Sequence, residues 1–91
     1  MPLLTDAEIE DGLKGLGGWE KKGKEIVRVY KNKSFVDSLG FVNKVAILAE
    51  KADHHPDILI QYKSVTLTLS THSKGGLTEK DFNLAREIDA L

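Results

Sequence analysis

Residues 65–71 read Val-Thr-Leu-Thr-Leu-Ser-Thr, so that Val65, Leu67 and Leu69 alternate with Thr66, Thr68 and Ser70. Successive side chains of a strand point to opposite faces, and this segment is therefore a β-strand with one apolar and one polar side. Such a strand calls for antiparallel neighbours and a layer of helices over its apolar face. The candidate for that layer lies upstream. Ser34 is placed to cap a helix running to about Ala52, with Asp37 completing a weaker capping box. Phe35, Leu39, Val42, Ala46 and Ala49 form one stripe along it, and Phe41, Val45, Leu48 and Ala52 widen that stripe. A helix apolar over so broad an arc must pack on something large, most simply a sheet. Pro56 pushes His55 away from helical geometry and marks the helix end.

The remaining segments complete the pattern. Thr5-Asp6-Ala7-Glu8 is a capping box for a first helix, with Ile9, Leu13 and Leu16 as its stripe and Gly17-Gly18 as its stop. Residues 19–22 and 25–31 read as strands joined by a turn around Gly23, with Ile26 and Tyr30 flanking Arg28 on one face and Val27 and Val29 on the other. Residues 58–63 and 65–71 make a second hairpin, and after Gly75-Gly76 the run from Thr78 to Asp81 caps a last helix with the face Phe82, Ala85 and Ile88. The expected fold class is α+β: a single four-stranded antiparallel sheet with three helices packed on it, in the order αββαββα, as one domain over residues 1–91.

Composition narrows the function classes. A chain of 91 residues, 41% hydrophobic and 30% charged, has enough apolar surface for one folded domain and too little length for two. Thirteen basic against fourteen acidic residues leave a net charge of −1, which excludes a nucleic-acid binder driven by bulk charge. Lys21, Lys22, Lys24, Arg28, Lys31 and Lys33 make the first hairpin locally basic, a pattern that reads as an edge strand protected by lysines. The absence of cysteine excludes disulfides, thiolate metal sites and thiol nucleophiles. The longest apolar run, Val45 to Ala49, falls far short of the ~20 residues of a membrane span. Asp6 precedes any long apolar stretch, so no secretory signal is expected and a cytoplasmic location is.

The residues able to carry chemistry are the three histidines, His54, His55 and His72. They fall at the end of the long helix and of the last strand, where sites collect on a scaffold. Imidazole titrates near neutrality and can give or take a proton with no cofactor. Glu50, four residues before His54, is expected on the same helical face and able to charge or orient it. The same three histidines with one carboxylate would make a chemically sensible zinc set, but their spacing matches no familiar zinc pattern. No glycine-rich phosphate loop follows a strand, and no nucleophile elbow supports a Ser-His-Asp arrangement.

A longer pattern joins these residues. The chain has Glu50, three residues, His54-His55-Pro56, five residues, Tyr62, nine residues, His72, eight residues and Asp81. This closely resembles the signature of the pterin-4a-carbinolamine dehydratases, and the likeness extends from the region of Trp19 through Thr68–His72 and Gly76-Leu77-Thr78 to the C-terminus. In one departure, the chain has Ile58 where many members carry an aromatic residue in the pterin-facing wall.

The resemblance implies a hydro-lyase that dehydrates 4a-hydroxytetrahydrobiopterin to quinonoid dihydropterin in tetrahydrobiopterin recycling. It implies acid–base work for His54 and His72, with His55 and Glu50 completing the catalytic set. It also implies that His55, Asp81 and Trp19 contact the pterin, with Glu50 positioning His54 and neither metal nor cofactor required. Asp81 is at the same time the third residue of the capping box begun by Thr78, Tyr62 suits the core, and Trp19 also suits a core edge. Expected partners are a pterin and further copies of the chain, as homodimer or homotetramer, because residues 58–60 are apolar on both faces of one strand. No direct nucleic-acid or membrane contact is expected. The alternative, by analogy with relatives that stabilise dimers of a transcription factor, is a protein-interaction module serving as dimerisation cofactor or coactivator.

Overall fold

In a computed structural model describing residues 2–91, the elements run α1 (Asp6–Lys14), β1 (Glu20–Lys22), β2 (Glu25–Lys31), α2 (Phe35–Ala52), β3 (Asp57–Gln61), β4 (Ser64–Leu69) and α3 (Glu79–Asp89), with a single 3-10 turn at His72–Lys74. The expected αββαββα order and the single antiparallel sheet are present, with strands ordered β1-β2-β4-β3. Pairing of Ile26 with Leu69, Arg28 with Leu67 and Tyr30 with Val65, continued by Ile58 and Ile60 of β3, sets one set of side chains under the helices. Ile26, Val65, Leu67 and Leu69 are fully buried there against Val45 and Ala49 of α2, Phe82, Leu84, Ala85 and Ile88 of α3, and Ile9 of α1. The alternation that opened the sequence reading is thus the floor of the core.

The helix ends follow local chemistry. Thr5 and Glu8 form the reciprocal capping box of α1, and Thr78 and Asp81 that of α3. Ser34 caps α2 by accepting the Asp37 amide at 3.0 Å. α1 stops at Gly15, one turn before the expected Gly17-Gly18, and Leu16 enters the core from the following loop. At Gly12 α1 lies so close to α3 that a Cβ would stand 2.7 Å from the Phe82 ring.

Two expectations about side chains are corrected. α2 does not bury its whole apolar arc: Ser38, Val45 and Ala49 face inward, while Phe35, Leu39, Val36 (75% exposed) and Ile47 (62%) remain outside. The sheet and α3 cover only one side of a helix, and the far side of so broad an arc has nothing to pack on within one chain. Tyr62 is not in the core; it sits at the tip of the β3–β4 hairpin with φ 56° and is 65% exposed. Trp19, read from the sequence as suited to a core edge, is buried at the helix side of the sheet, edge-on to Tyr30, with its Nε1–H donated to Asp89 Oδ1 at 3.0 Å.

Candidate active site

The site begins with the way α2 ends. Asp53 takes the left-handed conformation (φ 49°, ψ 45°), its amide bonds the Glu50 carbonyl at 3.2 Å, and the His54 amide bonds the Ala49 carbonyl at 3.1 Å. These paired bonds are a Schellman motif, in which the chain reverses direction after the last helical residue. Aspartate tolerates that backbone better than most side chains. His54 therefore leaves the helical spiral, and the i, i+4 pairing with Glu50 expected from helix geometry does not form. Glu50 Oε2 instead meets His55 Nε2 at 2.6 Å, with both side chains well exposed.

His54 turns inward. Its Nε2 stands 2.5 Å from Oδ1 of Asp81, whose side chain is completely buried. The other oxygen, Oδ2, accepts the Thr71 hydroxyl at 2.8 Å and the Thr78 amide at 3.0 Å. Thr71 and Thr78 also share a hydrogen bond between their hydroxyls, 2.8 Å apart. Asp81 is at once the capping-box residue of α3 and the orienting group of His54, two roles compatible because each uses a different oxygen. Asp81 is fully enclosed and presents no surface of its own; it stands behind His54. An ionised carboxylate only accepts, so the His54 proton facing it sits on Nε2 and Nδ1 is the nitrogen left for chemistry.

β4 ends at Leu69, earlier than the sequence alternation suggests, and Thr71 forms an isolated bridge to Gly76 with its amide on the Gly76 carbonyl at 2.8 Å. The strand gives way because the Thr71 side chain is drawn into the bonds around Asp81. The 3-10 turn then carries His72 off the strand alternation, and Gly75 (φ 72°) closes the turn. His54, His55 and His72 consequently line one cavity of about 280 Å³, together with Asp53, Ser70, Thr71, Ser73 and Lys80. The structure thus brings the three histidines together from two distant segments. It places Glu50 behind His55 and Asp81 behind His54, and it leaves Trp19 away from the cavity. Thr71 is the residue that the sequence reading missed; only its place beside His72 and its spacing to Thr78 hinted at it.

Arranged this way, the cavity holds three imidazoles, one of them on a buried carboxylate in the manner that fixes a tautomer for general acid–base catalysis. Among the described residues no group of three or more histidine, aspartate or glutamate side chains is disposed to hold a metal ion. Nor, among the described residues, is any helix long and apolar enough to cross a membrane.

Comparison with known proteins points to one family. The profile of the family described as Pterin 4 alpha carbinolamine dehydratase matches residues 2–91. A relative from Roseiflexus castenholzii, whose name gives it provisionally as a pterin-4-alpha-carbinolamine dehydratase, is 54% identical over 98% of this chain and 96% of its own. One of the same name from Thermomicrobium roseum is 50% identical over 100% of this chain and 98% of its own. Among solved structures, a transcriptional coactivator/pterin dehydratase from Brucella melitensis superposes with a TM-score of 0.93 at 41% identity, covering 97% of this chain and 96% of that one. A pterin dehydratase-like RuBisCO assembly factor of the alpha-carboxysome gives a TM-score of 0.68 at 25% identity over 80% of this chain and 87% of its own. The chain belongs to the pterin 4 alpha carbinolamine dehydratase family.

Proposed function

We propose that the protein dehydrates a 4a-hydroxytetrahydropterin to the quinonoid dihydropterin and water, as in tetrahydrobiopterin recycling. The observation that carries this reading is the His54–Asp81 pair at 2.5 Å in a cavity shared with His55 and His72. In the reaction the C4a–O bond breaks as an imidazolium protonates the departing hydroxyl. The N5–H proton passes to a neutral imidazole, and its electron pair becomes the C4a=N5 double bond. Nothing is oxidised or reduced overall, so histidines suffice and neither metal nor cofactor is called on. His54 and His72 are assigned the proton transfers, and His55, supported by Glu50, holds the ring. The test is stopped-flow dehydration of a synthetic carbinolamine. His54→Ala and His72→Ala are each expected to slow it by about 10²–10⁴-fold before correction for spontaneous water loss, with the double variant slower still. Wild-type turnover in a folded double variant overturns the assignment, as would activity lost to chelation and restored by zinc.

A second reading, a protein-interaction module, is favoured by the outer side of α2, where Phe35, Val36, Leu39 and Ile47 are exposed together. The same face, and the open edge of the sheet at β3, support self-association as a dimer or tetramer. A monomeric mass by light scattering at micromolar concentration overturns the oligomer, and carbinolamine turnover separates enzyme from adaptor.

A further inference from the structure

Beyond His72 lies a second cavity, larger than the first at about 430 Å³ and lined by Lys22, Gly23, Lys24, Glu25, Ser70, His72, Gly75 and Gly76. Ser70 and His72 line both cavities, so the two adjoin at these residues. The walls of the second carry no Leu, Ile, Val, Phe, Tyr or Trp side chain; Lys22, Lys24, Glu25, Ser70 and His72 supply its polar groups, beside three glycines. Lys22 and Lys24 flank Gly23 at the β1–β2 turn, and neither forms an ion pair among the described residues. Two lysines against one carboxylate, Glu25, give the lining a net positive charge. The register of β1 on β2 holds the two lysines at a defined end of the sheet.

The chemistry of the ring says what would reach it. In a 4a-hydroxytetrahydropterin, N5 is bonded to C4a on one side and to C6 on the other, and C6 carries the side chain. A histidine that serves the C4a–N5 bond is therefore next to the atom from which the side chain departs. With the ring among His54, His55 and His72, a C6 side chain passing His72 enters the second cavity. We infer that this cavity is a subsite for the C6 side chain and that it selects tetrahydropterins whose side chain ends in an anion, a phosphate or a carboxylate, held by Lys22 and Lys24. This inference rests on the dehydratase reading for the placement of the ring, and its test separates the two. The sequence pattern of lysines that reads as edge protection is met by Lys21 as well, which does not line the cavity; Lys22 and Lys24 do.

The experiment compares two carbinolamines of equal length, one with a dihydroxypropyl side chain and one bearing a phosphate monoester at its end, in wild type and in the Lys22→Gln/Lys24→Gln double variant. Exposed ion pairs are each modest, so the phosphorylated substrate is expected to have a KM lower by about threefold to thirtyfold. That advantage is expected to shrink at high ionic strength and to vanish in the double variant. Equal KM values in wild type, or a preference that survives the double substitution, overturn the subsite. If neither carbinolamine is turned over, the dehydratase reading fails. Equilibrium binding of the corresponding 7,8-dihydropterins, with and without phosphate, then decides the subsite by itself: a preference abolished by the double substitution upholds it, and equal affinities end it.

Discussion

Replacing Asp81 by asparagine separates charge from shape at the centre of the site. Three groups converge on this carboxylate as donors: His54 Nε2 at 2.5 Å, Thr71 Oγ1 at 2.8 Å and the Thr78 amide at 3.0 Å. A carboxamide has one accepting atom and one donating atom, so its NH₂ must face a former donor. The Thr78 amide cannot reverse its polarity, whereas the imidazole can by moving its proton to Nδ1. The expected result is an Asp81→Asn protein whose amide donates to His54, leaving Nδ1 occupied and unfit for its proton transfer. A hydrogen bond to a charged group contributes about 1.5–3 kcal/mol against about 1 for a neutral one, so the exchange costs about 1–2 kcal/mol. In a domain of this size that lowers Tm by about 5–15 °C and leaves the chain folded. Asp81→Ala also strands the Thr78 amide and breaks half a capping box, at a cost of about 2–4 kcal/mol. Catalytically, Asp81→Asn is expected to reduce kcat by about 10² or more with a smaller change in KM, because the buried carboxylate works through His54 and not on the substrate. Thermal melting, nitrogen NMR of the imidazole and stopped-flow dehydration measure the three effects. A variant that keeps wild-type kcat with His54 still protonated at Nε2 refutes the reasoning.

Three further outcomes are expected. Gly12→Ala puts a methyl group 2.7 Å from the Phe82 ring, which must push α1 off α3 at about 1–3 kcal/mol; an unchanged Tm would show that the two helices can separate freely. The Tyr30 phenol is pushed well above the usual tyrosine range by burial first, then by the hydrogen bond to and negative charge of Asp89, with Arg28 acting the other way. The folded protein therefore holds that proton more tightly than the unfolded chain, and the stability this contributes is complete below pH ~10 and lost as the pH rises beyond it. A Tyr30→Phe variant is expected to show a shallower fall of Tm above that pH, and parallel curves for the two proteins contradict the assignment. Glu50→Gln removes an exposed partner of His55, so KM is expected to rise by less than about fivefold while the His54 tautomer stays as it was; a change at His54 would restore the i, i+4 pairing that the helix end rules out.

What the chain determines by itself is whatever depends on neighbours in sequence. The alternation of Val65, Leu67 and Leu69 with threonines, the capping boxes at Thr5 and Thr78 and the turn at Gly23 are local instructions, and each appears in the fold as read. The three histidines were visible for the same reason, as residue types at segment ends. Their partners were not. Helical spacing paired Glu50 with His54, but a left-handed Asp53 turns the chain after Ala52, and a single reversed residue sends His54 to one neighbour and His55 to another. Asp81, 27 positions away, reaches His54 only because α3 packs on the sheet beside the end of α2. Trp19 is held at the core edge by a carboxylate 70 positions away, Asp89, which offers its indole a half-buried acceptor. Which part of the α2 arc is buried depends likewise on how much sheet and α3 one chain can lay against it. Local stereochemistry chose the elements and marked the titratable groups; the long-range hydrogen bonds of buried polar atoms, which must be satisfied by whatever the packing brings near, chose the pairs.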